Sequence, residues 1–445
     1  MGWKFSIGLF ALLLCIKCTS GDHKPTMFKG CPTFNIKTRL SIIEKSCFPC
    51  LSFSTTPSMS KLFRDTEFIF SMISPHLLDD QFCDLQSSGE FMMMFPSAVW
   101  LPEKNMFLTV VRMSIRKNGS MKSLLFTSLF DSHWNEVITE EMIGATQVPG
   151  IIPIEVYDYN IENAGPEDPR IFTFAGGIYV IFNMIDIDVR RKMFLFNFET
   201  GKSWPLRIIE HSLWSHYTEK NWTPLIVDDE HLYFVYNYKN FQILDCTDKS
   251  TYCKKVSGLF DSVPAGLRGG SPYVKFGSTQ YFVSFGYSHI DYRKGNQFCA
   301  VYRPALTVVK ANEESSSFEL IYQSEPIDFE EKLFLEPIMP YNSTDQVKIC
   351  EDGRIMMVAS IARWDFDEDV VDATINLNDT IPLAIKITGL TDLVLDAIKM
   401  HEGGLVTGEE NCIEKLAFKH FEIDDPSSSR LNLRKKRMMK YGNNG

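Results

Sequence analysis

The strongest constraint on the fold is a recurrence of short runs rich in aromatic and β-branched residues. Five such runs, "MFLTVVR", "IYVIFNM", "LYFVYNY", "YFVSFGY" and "IMMVASIAR", begin at residues 106, 178, 232, 281 and 355, so successive starts lie 72, 54, 49 and 74 residues apart. Most of them follow a polar or glycine-bearing turn, and little helical periodicity separates them. This pattern predicts β-strands joined by turns.

The spacing of these runs favours a β-propeller. Each interval has room for about four strands, the number in a propeller blade, and blades repeated around an axis protect the sheet edges. The alternative is a large β-sandwich or a pair of β domains. Because five similar runs occur, the sequence predicts an all-β, five-bladed β-propeller with an N-terminal extension.

The chain divides into four predicted segments. Residues 1–20 carry one early cation and then an apolar stretch, which is shorter than the roughly 20 residues of a membrane span and is typical of a secretory signal. A cleaved signal and a short anchor both stay open. Residues 21–94 are predicted to be an extension packed on the propeller, residues 95–422 the propeller, and residues 423–445 a disordered basic tail.

Cysteines and glycosylation sequons agree with entry into the secretory pathway. The chain has 11 cysteines, many of which can pair in an oxidising compartment. Cys246 and Cys253 are predicted to form a local bridge, because "CTDKSTYC" closes a small polar loop. Sequons stand at Asn118, Asn342 and Asn378.

Charge and motif content exclude several classes of function. A net charge of −11 argues against a general nucleic-acid binder, whose affinity depends on neutralising phosphates. The sequence has no P-loop and no nucleophile elbow, and its short glycine pairs do not form a dinucleotide-binding loop. The acidic stretch "RWDFDEDVVD", which begins at residue 363, lacks the spacing of a calcium loop and is predicted to be a solvated turn. We therefore expect no metal and no cofactor.

Four segments place charged or titratable groups beside predicted strands. They are "GPEDPRIF" with Glu167, Asp168 and Arg170, "EKNWTPL" with Lys220 and Asn221, "GLRGGSPYV" with Arg268, and "GYSH" with His289. Taken alone, each is more typical of an ordinary strand end. The two glycines after Arg268 are expected to let the backbone approach a ligand closely.

Together these segments predict a cationic lining in an otherwise acidic protein. Strand ends of a propeller converge on its central channel, which would gather Arg170, Lys220, Arg268 and His289. Since cations brought together repel each other, such a lining favours an anion, with arginine offering a fork of donors to phosphate and lysine a point charge. Asp168 would be the acid beside the lining that exchanges a proton.

The order of these motifs resembles a known family. "GPEDPRIF", "VIFNM…RRKMFLFNF", "EKNWTPL", "ILDC…C" and "LRGGSPY…GYSH" follow one another over roughly residues 95–365. This order resembles the fungal β-1,2-mannosyltransferases of cell-wall mannan synthesis. It is more distantly similar to β-mannoside phosphorylases and related protozoan mannosyltransferases, which are five-bladed propellers.

The resemblance implies roles for the singled-out residues. Asp168 would be the catalytic acid or base. Lys220, Arg268 and His289 would hold phosphate, with Asn221 beside them among the substrate-binding residues. Glu167 and Arg170 would line the sugar site.

The implied activity is that of an inverting glycosyltransferase located in residues 95–422. It would add β-1,2-linked mannose from GDP-mannose or mannose 1-phosphate to mannan or oligomannoside. The alternatives are a β-1,2-mannoside phosphorylase and a non-catalytic glycan-binding propeller. We expect a Golgi lumen or membrane, or secretion, with anchoring through the N-terminus left open.

Overall fold

The computed structural model describes residues 41–47, 91–117, 120–137, 139–157, 161, 163–209, 218–238, 241–247, 251–257, 267–294, 297–312, 317–327, 329, 355–379 and 381–403. The predicted signal (1–20), the basic tail (423–445) and the sequons at positions 118 and 342 lie outside these residues.

The described residues form mostly strands. Their bounds are β1 Ser41–Cys47, β2 Phe91–Leu101, β3 Met106–Lys117, β4 Ser120–Asp131, β5 Glu136–Val137, β6 Glu141–Ile143, β7 Thr146–Val148, β8 Gly150–Ile151, β9 Glu167–Phe174, β10 Gly177–Ile185, β11 Arg191–Asn197, β12 Lys202–Pro205, β13 Arg207–Ile208, β14 Thr223–Ile226, β15 Leu232–Asn237, β16 Gln242–Asp245, β17 Tyr252–Ser257, β18 Leu267–Arg268, β19 Val274–Lys275, β20 Tyr281–Lys294, β21 Gln297–Asn312, β22 Ser317–Gln323, β23 Met356–Asp365, β24 Val370–Leu377 and β25 Ile381–Thr388. A helix, α1, spans Leu390–Glu402.

Five sheets form the five blades of a β-propeller, which confirms the predicted fold. The first blade has the order β2-β3-β4-β5, with β8 also paired to β4. The second is β9-β10-β11-β12, and the third is β14-β15-β16-β17-β13. In the fourth, β18 and β19 both pair with β20, which is followed by β21 and β22. The fifth is β23-β24-β25-β1.

The ring closes through strands from both ends of the described chain. Strand β1 pairs antiparallel with β25, from Ser41 opposite Thr388 to Cys47 opposite Leu383. The innermost strand of the first blade, β2, is bonded to both neighbouring blades: the amide of Ala98 donates to Ser360 Oγ at 2.9 Å, and Ser97 Oγ accepts from the second blade at 3.1 Å. The segment predicted as an N-terminal extension thus contains β1 and the start of β2.

The predicted runs are buried strands. Four of them fall on the second strand of a blade, namely β3, β10, β15 and β20, and the fifth falls on the innermost strand β23. Along β10 nearly every residue is buried. A blade is covered on both faces by its neighbours, so its inner strands are apolar on both faces and do not alternate with polar residues.

The acidic stretch after residue 363 is largely occupied by structural contacts. The carboxylate of Asp369 accepts from the amides of Gly389 at 2.7 Å and Thr391 at 2.8 Å, at the start of α1. Asp372 is fully buried and accepts from Trp134 Nε1 at 3.0 Å and from Arg363 at 2.7 Å. The prediction of a solvated turn therefore holds for residues 365–368, which are exposed, and not for Asp372.

Three further findings concern predicted features. The bridge between Cys246 and Cys253 is present, which confirms that prediction. Among the described residues, no group of three or more His, Cys, Asp or Glu side chains is placed to hold a metal ion. The described part of the chain also contains no helix that is both long and apolar enough to cross a membrane.

Candidate active site

A bulge at the start of β9 sets the position of Asp168. Between the pairs Ile181–Arg170 and Asn183–Glu167, β9 has one residue more than β10, and Asp168 takes a left-handed conformation with φ of 53°. Successive side chains of a regular strand point to opposite faces. A bulge can re-aim one of them, and bulges are common beside active sites. Here it lets two consecutive carboxylates face the same guanidinium.

That guanidinium belongs to Arg112 of β3. Its Nη2 lies 2.9 Å from Glu167 Oε1, and its Nη1 lies 3.2 Å from Asp168 Oδ1. Arg191 Nη1 lies 3.0 Å from the other oxygen of Glu167. The amide of Asn183 donates to the carbonyl of Glu167 at 3.1 Å and lies 3.4 Å from Asp168 Oδ2.

Glu167 and Asp168 therefore differ in availability. The Glu167 side chain is 7% exposed and is held by two arginines, whereas that of Asp168 is 18% exposed and has one close cation. Glu167 anchors the cluster, and Asp168 is the carboxylate that a substrate can reach.

The charges around Asp168 keep it ionised. Burial alone would raise the pKa of this carboxyl, but the positive charges of Arg112, Lys220, Arg170 and Arg191 outweigh burial and lower the pKa below its ordinary value. Asp168 is thus a carboxylate at neutral pH, able to accept a proton.

Sequence reasoning missed Arg112, Arg191 and Asn183. The two arginines lie in or at the start of strongly apolar strands, where a charged side chain is rarely buried without a partner. That signal could have identified them as partners of an acidic pair.

Arg170 is fully buried. Its Nε donates to the carbonyl of Gly270 at 2.6 Å, its Nη2 to that of Gly269 at 3.1 Å, and its Nη1 to that of Asp168 at 3.1 Å. The side chain has no exposed surface and lies over the ring of Phe95. Arg170 therefore joins the second blade to the fourth, and its predicted place in the lining of the sugar site stays a prediction.

The glycines after Arg268 allow close backbone packing, Gly269 against the third blade and Gly270 within the fourth, which corrects the expectation that they admit a ligand. A Cβ on Gly269 would lie 2.0 Å from the carbonyl oxygen of Asn221, and one on Gly270 would lie 1.8 Å from that of Phe285. No side chain fits at these distances. The carbonyls of these two glycines are the groups to which Arg170 donates.

Lys220 and Asn221 lie just before the innermost strand of the third blade, β14. Lys220 Nζ is 3.8 Å from Glu167 Oε2, and its side chain is 40% exposed. Asn221 has a φ of 65°, and its Oδ1 accepts a hydrogen bond from the hydroxyl of Tyr287.

Tyr287 connects the third and fourth blades at the site and was not predicted. It lies on β20 opposite Arg268 of β18 and is buried. Burial raises the pKa of its hydroxyl well above the usual value, with Arg170, Asp168 and Arg268 close enough to act on it. This hydroxyl is therefore a neutral donor among the charged groups.

Arg268 and His289 complete the set of predicted cations. Arg268 is partly buried, and among the described residues its guanidinium forms no hydrogen bond or ion pair. His289 lies opposite Tyr302 on β21, with ring centroids 4.8 Å apart, and Tyr302 packs on Tyr287 at 5.9 Å. Direct contacts or charges thus bring four of the predicted residues together: Glu167, Asp168, Arg170 and Lys220. Tyr287 connects Asn221 and Arg268 to this group. His289 is linked to it through Tyr302, which packs on Tyr287.

Comparison with known proteins supplies relatives for this chain. A family model described as "Beta-mannosyltransferases" matches residues 202–417. Beta-mannosyltransferase 3 of Candida albicans is 29% identical over 331 residues, 66% of this chain and 57% of the relative. Beta-mannosyltransferase 3 of Komagataella phaffii is 25% identical over 364 residues, 74% of this chain and 59% of the relative. The chain thus spans less than two thirds of the length of these relatives.

Among solved structures, the propeller is similar to the β-1,2-mannobiose phosphorylase from Listeria innocua. The TM-score is 0.44 and the identity 9%, over 69% of this chain and 93% of the other. The matches to named relatives confirm the resemblance to β-mannosyltransferases that the motifs predicted. Those relatives are named as glycosyltransferases, the class of enzyme expected from the sequence.

Proposed function

We propose that this chain is an inverting glycosyltransferase that adds β-1,2-linked mannose to mannan or oligomannoside acceptors in fungal cell-wall synthesis. The donor is a mannosyl phosphate, either mannose 1-phosphate or the nucleotide sugar GDP-mannose. The observation that carries the proposal is an ionised, partly exposed carboxylate, Asp168, in a cluster of cations. The similarity to proteins named β-mannosyltransferases supplies the sugar and the linkage class.

In the proposed reaction Asp168 is the general base. An acceptor hydroxyl attacks the anomeric carbon of the donor from the face opposite the phosphate. Its oxygen forms the new glycosidic bond, its proton passes to Asp168, and the bond to phosphate breaks with its electron pair leaving on the phosphate oxygen. Arg112 and Asn183 hold the two oxygens of Asp168, so the base is oriented before the acceptor arrives.

Lys220 and Arg268 are the cations best placed to stabilise the departing phosphate. The guanidinium groups of Arg112 and Arg191 are occupied by carboxylates, and that of Arg170 by backbone carbonyls. Among the described residues, by contrast, Lys220 makes one long ion-pair contact of 3.8 Å, and Arg268 makes no hydrogen bond or ion pair. Charge placed in advance where negative charge develops is often the largest catalytic contribution. His289 is the third proposed phosphate ligand.

The test uses the purified full chain with a mannose oligomer and either GDP-mannose or mannose 1-phosphate. The expected result is an oligomer longer by one β-1,2-linked mannose, identified by mass spectrometry and by NMR of the anomeric proton. A chain that instead releases mannose 1-phosphate from a β-1,2-mannoside and inorganic phosphate is a phosphorylase. Oligomannoside binding without turnover on any of these substrates would contradict the proposal and identify a glycan-binding propeller.

We propose that the enzyme acts in the secretory pathway, in a Golgi lumen or at its membrane. The signal-like residues 1–20, the sequons and the bridge between Cys246 and Cys253 support this location. A tagged chain expressed in yeast should change electrophoretic mobility after endoglycosidase treatment and should co-fractionate with Golgi markers. An unglycosylated cytosolic chain would contradict the assignment.

A further inference from the structure

A cavity lies beside the charged cluster. Its volume is about 400 Å³, within the size range of small-molecule sites. Its walls are the turn between β10 and β11 at residues 186–190, the segment 206–208, and the approach to β14 at residues 219–222. It therefore lies where the second and third blades meet.

The cavity shares walls with the candidate active site. Lys192 lines the cavity, while the preceding residue, Arg191, binds Glu167. Glu219 lines the cavity, while the following residue, Lys220, approaches Glu167. The two segments are joined directly, since the amide of Glu219 donates to the carbonyl of Arg191 at 2.8 Å. The cavity and the candidate active site therefore border the same pair of hydrogen-bonded segments.

The charges of the cavity are balanced, unlike those around Asp168. Its lining contains three carboxylates and three cations, namely Asp186, Asp188 and Glu219 with Arg190, Lys192 and Arg207. Lys192 Nζ lies 2.7 Å from both Asp186 and Asp188. The carboxylates offset most of the positive charge, so the lining has little excess of it to attract a nucleotide or phosphate, and it presents many hydrogen-bond donors and acceptors.

Apolar groups complete a surface suited to a sugar. Ile187, Leu206 and Ile208 line the same cavity, and the Ile187 side chain is largely exposed. Carbohydrate rings present hydroxyl groups at their edges and C–H groups on their faces. Paired charges together with aliphatic side chains match both features of such a neutral, hydroxyl-rich ligand.

Glu219 is a partly buried acid of this lining. Its carboxylate accepts from Trp222 Nε1 at 3.2 Å and from the hydroxyl of Tyr236 at 3.4 Å. Burial raises the pKa of Glu219 to about 7, so near neutral pH this group can donate as well as accept a hydrogen bond. A sugar hydroxyl accommodates either state.

We propose that this cavity is a distal acceptor subsite, which binds sugar units of an oligosaccharide beyond the unit that is being extended. The identity of the acceptor as an oligomannoside rests on the proposed function. The subsite would make the protein prefer longer acceptors over short ones.

The test measures binding without a donor, so it does not depend on transfer. Titrations of wild-type protein with mannotetraose and with mannobiose, followed by NMR or calorimetry, should show tighter binding of the tetramer, by about tenfold for one or two added hydrogen bonds. Arg207→Ala and Glu219→Ala, which each remove a hydrogen-bonding group from the lining, should reduce this length preference to about threefold or less. Arg207 is exposed, so its substitution tests the site without a large effect on folding.

The matched control is Lys202→Ala, an exposed cation on β12 that does not line the cavity. It should keep the wild-type length preference. Equal affinity for both oligomers in the wild type, or an unchanged preference in both cavity variants, would overturn the subsite even if transfer is observed. Absence of transfer with a retained, variant-sensitive length preference would contradict the proposed function and leave the subsite supported.

Discussion

Two acidic stretches of this chain, around residues 167–170 and 363–372, resemble each other in composition and differ in outcome. Each combines carboxylates with an arginine beside a strand. In the second, the carboxylates outnumber the arginine: Asp369 binds the first amides of α1, and Asp372 is fully buried against Arg363 and Trp134. In the first, cations from three blades exceed the carboxylates, and Asp168 is still partly exposed.

The difference shows that surroundings, more than the local sequence, separate a reactive carboxylate from a structural one. An acid whose hydrogen bonds are made by backbone amides, or by an indole and one arginine, stabilises the fold. An acid at a bulge, within a surplus of positive charge, keeps its negative charge and leaves positive charge for an anionic substrate.

The largest effects are expected when one aspartate in each stretch is replaced by asparagine, which removes the negative charge and keeps the shape of the side chain. Asp168→Asn removes the proposed base, so turnover should fall by roughly 10² to 10⁴, the usual contribution of general base catalysis, while the melting temperature changes little. Asp372→Asn should do the reverse, keeping turnover and destabilising the fold by about 1–3 kcal/mol. Steady-state kinetics and thermal unfolding of both variants measure this. Near-normal turnover of Asp168→Asn would remove that residue from its role.

A proposed phosphate-binding arginine of the candidate site, Arg268, should also differ from Arg363 of the second stretch. Arg268→Ala removes a proposed contact to the departing phosphate, and kcat/KM for the donor should fall by about 10² to 10³, as for other groups that stabilise developing charge. Arg268→Lys should recover part of the loss, because a point charge replaces the fork. Arg363→Ala should leave the donor kinetics unchanged. An equal loss in the Arg268 and Arg363 variants would indicate a general effect on folding.

Much of this architecture could be predicted from the sequence, because blade strands are buried on both faces and appear as continuous apolar runs. That reasoning located β3, β10, β15 and β20. It could not predict that β1 completes the fifth blade, since the pairing of Ser41–Cys47 with β25 depends on closure of the whole ring. For the fifth blade it located the innermost strand, β23, because Asp372 interrupts the apolar character of β24.

The residues of the candidate site could be predicted only in part from the sequence. Polar motifs at strand ends identified Asp168, Lys220 and Arg268. Burial in apolar strands marks Arg112 and Arg191 as arginines that need an acidic partner, but which acid each one contacts depends on strand register and on the bulge at Asp168. Arg170 has a cationic side chain at a motif position, yet its partners are backbone carbonyls that no sequence pattern marks.

The pH dependence of turnover should respond to Arg112. This arginine is the first of the charges that lower the pKa of Asp168 against the effect of burial. Since the ionised form is the active base, activity should fall as the pH falls through that pKa. Arg112→Gln should raise the pKa and move the acidic limb of the kcat profile to higher pH, while Arg112→Lys should move it less. An unchanged limb with reduced kcat at every pH would indicate that Arg112 acts only on structure.

The smallest effect is expected at Glu219, whose carboxylate has a third kind of environment. It is withdrawn from solvent, and no neighbouring cation among the described residues offsets the resulting rise in its pKa. Burial raises its pKa from 4.5 to about 7, so the folded state favours the protonated form. As the pH rises from 4.5 to above 7, the folded state becomes less stable relative to the unfolded state, because Glu219 ionises more easily in the unfolded chain. Glu219→Gln should therefore gain about 1–2 kcal/mol over wild type at pH 8 compared with pH 5, measured by thermal unfolding at both values. A stability difference that does not change between the two pH values would show that Glu219 is ionised in the folded protein, as Asp168 is.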